Sequence, residues 1–111
     1  MLRRKGRVLS HHAESLQIRD LEINPGKMQA WVNREPLGLT FTEFKILQCL
    51  AENSGWVCTR QQLLTFSRGE EAFVTDRTID VALVSLRKKL GSLGTLIETV
   101  RGVGYRFKEG E

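Results

Sequence analysis

Apolar and polar positions along this chain change their period twice, and the changes outline the fold. Near the N-terminus the period is two. Leu16-Gln17-Ile18 alternates, Leu21-Glu22-Ile23 alternates after a polar break, and Met28 to Asn33 reads as a further strand. Asn24-Pro25-Gly26 is a turn, and Arg34-Glu35-Pro36 a second turn before a short strand, Leu37-Gly38-Leu39. An antiparallel N-terminal sheet is the expectation.

From Thr40 the period lengthens to that of a helix. Thr40-x-x-Glu43 is a capping box, after which Phe44, Leu47, Leu50 and Ala51 share one face until Asn53-Ser54-Gly55. A second capping box, Thr59-x-x-Gln62, opens a short helix through Leu63, Leu64 and Phe66. The third helix has Thr75 or Asp76 as its cap and Gly91 as its stop. Its inward stripe is Ile79, Leu83, Leu86 and Leu90; the opposite face collects Arg77, Val81, Val84, Ser85 and Lys88. Lys88 and Lys89 sit in the last turn, where the helix dipole favours cations. Then the period returns to two. Leu96-Ile97-Glu98-Thr99-Val100 and Tyr105-Arg106-Phe107 flank Arg101-Gly102-Val103-Gly104, a hairpin in which both glycines permit positive φ.

A helix with a basic end, followed at once by a hairpin with an arginine at its tip, suits duplex DNA. The helix fits a major groove, and the hairpin arginine extends toward the next minor groove. The competing reading is a solvated helix face beside a plain hairpin turn. Gly102-x-Gly104 is not a phosphate-binding loop, because no strand–glycine–helix context surrounds it.

Charge placement sharpens this picture. The net charge is +4, but residues 8–75 carry six basic against eight acidic side chains, whereas residues 76–108 carry seven against three. A further basic cluster, Arg3, Arg4, Lys5 and Arg7, lies in residues 1–14, which lack apolar periodicity and read as a linker. The chain's 111 residues suit one small domain, and 41% hydrophobic content suffices for a core.

Chemistry is sparse. Both histidines, His11 and His12, lie in the linker, and no Ser/His/Asp or Cys/His cluster appears, which argues against an enzyme. Cys49 and Cys58 with the remote histidines lack zinc-ligand spacing, so no metal or other cofactor is expected. Two cysteines are too few for a disulfide framework; reduced thiols in a cytoplasmic protein are expected. No apolar stretch reads as a signal peptide or membrane span. Trp31 and Trp56 are assigned to the core, and Asp80 and Arg87, on adjacent helix faces, to a structural ion pair.

The residues also carry a family resemblance. Thr78-Ile79-Asp80-Val81, Leu86-Arg87-Lys88-Lys89-Leu90 and Thr99-Val100-Arg101-Gly102-Val103-Gly104-Tyr105-Arg106-Phe107 resemble the DNA-binding domain of OmpR/PhoB-type response regulators. Leu39-Thr40-Phe41-Thr42-Glu43-Phe44 is similar to that family's first-helix signature, and Gly55-Trp56-Val57-Cys58-Thr59-Arg60-Gln61-Gln62-Leu63 to its second-helix entry. The likeness runs in order from about Leu16 to Lys108.

The resemblance implies an α+β winged helix-turn-helix: an N-terminal antiparallel sheet, three helices and a C-terminal β-hairpin wing, over residues 15–108. It implies that Leu2-Arg3-Arg4 ends a preceding receiver domain of a two-component phosphorelay regulator, acting on double-stranded DNA as a tandem dimer on direct repeats. Implied DNA contacts are Arg77, Val81, Ala82, Val84, Ser85, Arg87 and Lys88 on the recognition helix, Thr99, Arg101 and Tyr105 on the wing, and Thr42 and Thr59 at helix starts. Relatives often place histidine or arginine at the positions of Ala82, Val84 and Ser85, so this helix is poor in guanine-reading groups, while Val81 and Val84 suit thymine methyls. The loop Ser67–Val74 resembles the family's contact with RNA polymerase, with Glu70, Glu71 and Phe73 as its candidates. The rival is a winged helix that serves as a protein-interaction module and never touches DNA.

Overall fold

The computed structural model describes residues 15–68 and 76–108. They form, in order, β1 (Leu16–Ile18), β2 (Leu21–Asn24), β3 (Gln29–Val32), β4 (Glu35–Pro36), α1 (Phe41–Glu52), β5 (Val57–Thr59), α2 (Arg60–Arg68), α3 (Asp76–Leu90), a 3₁₀ segment (Gly91–Leu96), β6 (Ile97–Val100) and β7 (Gly104–Phe107). This is the expected α+β winged helix-turn-helix.

The N-terminal sheet runs β1-β2-β3-β4, each neighbour antiparallel. Its alternation is as expected: Leu21, Ile23 and Ala30 are buried, while Glu22 and Asn24 turn to the other face. The fourth strand differs from expectation. It is Glu35–Pro36, not Leu37-Gly38-Leu39, because the turn tightens onto Asn33 and Arg34, with φ of 53° and 70°. Two consecutive left-handed residues make the two-residue hairpin that matches strand twist, and pairing begins at once with Val32 opposite Glu35.

Helix α1 starts as its capping box requires. The Glu43 N–H donates to Thr40 Oγ1 at 3.1 Å, and the Thr40 N–H to Glu43 Oε1 at 3.0 Å. Phe44, Ile46, Leu47, Leu50 and Ala51 enter the core. The α2 box also forms: the Gln62 N–H donates to Thr59 Oγ1 at 3.0 Å, and the Thr59 N–H to Gln62 Oε1 at 2.8 Å. The capping role expected of Thr75 or Asp76 lies outside the described residues and side chains. Gly91 ends α3 as expected, with φ of 63°. Ile79, Ala82, Leu83, Leu86 and Leu90 pack α3 onto Phe44, Leu47, Leu50, Leu63 and Phe107 in one core.

Strand β5 has no counterpart in the sequence reading. It pairs with β7, which pairs with β6, so the wing is a three-stranded sheet, β5-β7-β6. The hairpin is therefore stitched at its base to the segment that begins α2. This explains Gly104. Of the two hairpin glycines, Gly102 takes a positive φ, at 78°, and Gly104 does not. Gly104 is needed for another reason: a Cβ there would collide with the Cys58 carbonyl oxygen and stand 2.8 Å from Thr59 Cα. Around Gly102 the space is open.

Two tryptophan assignments need adjustment. Trp31 is half-buried, and Trp56 is 74% exposed rather than core. Its side chain lines a shallow cleft of about 490 Å³ with Cys49, Asn53, Cys58, Gln61 and Phe66. Both cysteines are buried and unbridged. Burial pushes the Cys49 thiol up to about 12, with the neighbouring Cys58 adding to the effect. Burial also raises Cys58. Neither thiol is poised to react.

A buried charge locks α1 to α3. Lys89 Nζ donates to Glu43 Oε1 at 2.7 Å and to the Gly38 carbonyl at 2.8 Å. Burial raises the Glu43 carboxyl, but hydrogen bonds from Lys89, the Thr40 N–H and the Ser85 hydroxyl outweigh it, so the group sits below the ordinary glutamate value.

Two predictions follow from this packing. Gly104→Ala forces backbone apart and is expected to cost about 3 kcal/mol, whereas Gly102→Ala meets only the left-handed penalty of about 1 kcal/mol. Urea midpoints give the order directly, and equal losses would refute the close-approach argument. Glu43 supplies stability that is present above its unfolded-state pKa and lost as pH falls through its lower folded-state value. Glu43→Gln should flatten that part of the acid limb, below the ordinary glutamate value of 4.5, and an unchanged limb would contradict the assignment.

Candidate nucleic-acid interface

The outward face of α3 follows from where its inward face lies. Ile79, Leu83, Leu86 and Leu90 are all buried, so the opposite side must face solvent. There Val81 is 61% and Val84 54% exposed, with Arg77 and Lys88 exposed toward the two ends. Ala82 is not part of this surface. It is 8% exposed, because three residues of helical rotation leave it about 60° from Ile79, on the core stripe. Ser85 is half-buried, close enough to the Glu43 carboxyl to help lower it.

The wing is held against α3 by two side chains of α3 itself. Asp80 Oδ1 accepts from the Tyr105 hydroxyl on β7 at 2.8 Å and from Arg60 Nε on α2 at 2.9 Å. Arg87 reaches β6: Nη2 donates to the Ile97 carbonyl at 2.8 Å and to Thr99 Oγ1 at 2.9 Å, and Nε to the Ile97 carbonyl at 3.2 Å. The Arg87 guanidinium also lies 5.8 Å from the Tyr105 ring centroid. The expected Asp80–Arg87 ion pair therefore does not form; each takes a separate strand of the wing. Arg60 holds the Asp80 carboxyl below its ordinary value, with Tyr105 adding to the effect. Burial raises the Tyr105 phenol, and Asp80 raises it further.

This arrangement redistributes the residues expected at the interface. Arg87 and Tyr105 are occupied within the domain, and Thr99 accepts from Arg87 while staying exposed. Thr59 caps α2, and Thr42, half-buried, lies in the first turn of α1. Arg101 is exposed at the wing tip beside Gly102 and Val103, in a turn closed by the Val103 N–H donating to the Val100 carbonyl at 2.9 Å. Lys89 and Arg106 pair with Glu43 and Glu98. Among the described residues, Arg77, Lys88 and Arg101 are exposed cations with no ion pair, spread from the start of α3 to the wing. Glu70, Glu71 and Phe73 lie outside the described residues.

The Arg60–Asp80–Tyr105 network escaped the sequence reading. Its members stand 20 and 25 residues apart, beyond any helical or strand period. Among the described residues no group of histidine, cysteine or carboxylate side chains is arranged to hold a metal. No described helix is long and apolar enough to cross a membrane.

Comparison with known proteins agrees with this geometry. Residues 34–107 match the family described as "Transcriptional regulatory protein, C terminal", which is not an enzyme class. The phosphate regulon transcriptional regulatory protein PhoB of Shigella flexneri is 38% identical over 96 residues, covering 85% of this chain and 42% of that protein. The chain thus spans less than half of that relative. Among solved structures, the DNA-binding domain of CpxR from E. coli is 32% identical with a TM-score of 0.77, covering 89% of this chain and all of that one. The Klebsiella pneumoniae RstA DNA-binding domain, solved in complex with the RstA box, is 34% identical with a TM-score of 0.73, over 86% of this chain and 98% of that one. With its winged helix intact and its sequence matched from the N-terminal sheet to the last wing strand, the chain belongs to the C-terminal effector domains of OmpR/PhoB-type transcriptional regulators.

Proposed function

We propose that this domain binds double-stranded DNA sequence-specifically, with α3 in the major groove and Arg101 of the wing directed to the adjacent minor groove. The observation that carries this reading is the rigid coupling of an exposed α3 face to the wing, with the exposed cations Arg77, Lys88 and Arg101 distributed across both. Cations at separated points on one rigid surface suit phosphates on both sides of a groove. Thr42 and Thr59, near helix N-termini, are further phosphate candidates. That a solved relative is described in complex with its DNA box supports the same assignment.

The wider role is a two-component transcriptional regulator in the cytoplasm. In it, residues 1–14 link a receiver domain to the effector domain at 15–108, and effector domains pair in tandem on direct repeats. Glu70, Glu71 and Phe73 form its RNA polymerase contact, since phosphates repel the two acids and a basic protein surface attracts them. The protein-interaction alternative predicts no steep salt dependence of duplex binding, whereas a phosphate binder loses affinity linearly on a log-log plot.

Arg101→Ala should weaken binding and reduce the log-log salt slope by about 0.9, one phosphate's worth, most strongly at sites with narrow A·T-rich flanks. Arg87→Gln should lower the thermal midpoint, because three donor contacts to β6 are lost, and shift the slope less than Arg101→Ala does. Equal slopes for wild type and Arg101→Ala would remove the wing role. Glu70→Lys with Glu71→Lys should leave DNA affinity equal or higher and lower transcription from a bound promoter; full transcription would remove the polymerase role.

A further inference from the structure

The middle of the α3 outer face is apolar, and nothing among the described residues accounts for it. Val81 and Val84 are one helical turn apart and lie on one side, 61% and 54% exposed. Burial does not explain them, since neither reaches the core. Helix propensity does not explain them either, because β-branched residues lose rotamer freedom in a helix and stand well below alanine or leucine. The other aliphatic side chains of α3, Ile79, Ala82, Leu83, Leu86 and Leu90, are all buried.

The polar groups that would compete for base edges are placed elsewhere. Arg87 is bound to β6, and Ser85 is half-buried beside the Glu43 carboxyl. Arg77 and Lys88 stand near opposite ends of the helix, about 16 Å apart along its axis. That separation suits flanking phosphates better than one base step. The centre of the face therefore offers methyl groups and few hydrogen-bond donors. Guanine presents only acceptors in the major groove, and adenine a donor and an acceptor. Only thymine presents a methyl group.

We infer that Val81 and Val84 make this domain a reader of pyrimidine 5-methyl groups: they select thymine in the major groove, and 5-methylcytosine in its place, over unmethylated cytosine. This inference rests on the DNA-binding reading above and adds the class of site it selects. A 5-methyl group projects into the major groove from the same ring position in either base, so the apolar contact is shared. The discrimination comes from burying one methyl group at a time, worth about fourfold in affinity each.

The test uses the full chain and duplexes selected from a random pool. In the selected duplex, thymines are replaced singly by uracil. We expect one to three central positions at which uracil weakens binding about fourfold. At such a position, cytosine should bind more weakly than thymine, and its 5-methylation should recover about fourfold. Val81→Ala with Val84→Ala, both at exposed positions and both raising helix propensity, should retain the circular dichroism spectrum and abolish the thymine–uracil difference. Wild-type protein binding uracil and thymine duplexes equally, with a steep salt slope still present, would overturn the inference and leave DNA binding standing. A thymine preference that survives in the double variant would also overturn it. Absence of any selected duplex and of any salt dependence would overturn the DNA-binding reading and this inference with it.

Discussion

A recognition helix and a wing can address two grooves of one duplex only if their spacing is fixed, and here α3 itself fixes it. Asp80 and Arg87 sit two turns apart on the same helix, about 10 Å along its axis. One holds β7 through the Tyr105 hydroxyl, and the other holds β6 through the Ile97 carbonyl and Thr99. Two attachments at separated points remove the hinge that a single attachment would leave. Arg60 joins from α2 and neutralises Asp80, so the coupling adds no uncompensated negative charge to a surface directed at phosphates.

The rest of the wing follows from close approach. Strand β5 reaches β7 only because Gly104 has no side chain, and the 3₁₀ segment turns back under α3 only because Gly94 has none. A Cβ on Gly94 would stand 2.5 Å from the Arg87 carbonyl oxygen. Glycine at these places buys proximity rather than flexibility. At the far end of α3, Lys89 and Glu43 tie the helix to α1 through a charge that accepts from both the Lys89 ammonium and the Thr40 N–H. The helix that carries the functional face is thus anchored on both sides, and Arg77, Val81, Val84 and Lys88 are left exposed on its outer face.

Short-range features were legible in the sequence. Both capping boxes, the core stripe of α3, the stop at Gly91 and the Gly102 turn depend on residues within one or two turns of each other, and each forms as read. Longer-range features were not. Strand β5 is three residues long and shows no alternation, and its partner lies near the opposite end of the chain. The β3–β4 turn shifted because Arg34, no turn-former by type, takes φ of 70°. At the interface, face assignment separated Val81 and Val84 correctly from the core, whereas Ala82, taken as a contact from the resemblance, is buried. The resemblance grouped Arg87 with Arg101, although one is bound inside the domain and the other is exposed. Tyr105 and Asp80 show the same limit: a residue's partner decides whether it faces DNA, and partners 20 or more residues away leave no local trace.

The central claim is that helix and wing act as one rigid two-groove reader. Methylation interference on a bound duplex tests it most directly, because dimethyl sulfate modifies guanine N7 in the major groove and adenine N3 in the minor groove. The account predicts two interference zones, one in the major groove and one in the minor groove, offset by about half a helical turn, or about five base pairs. Interference confined to a single groove, or two zones without a constant offset across different bound sites, would contradict it.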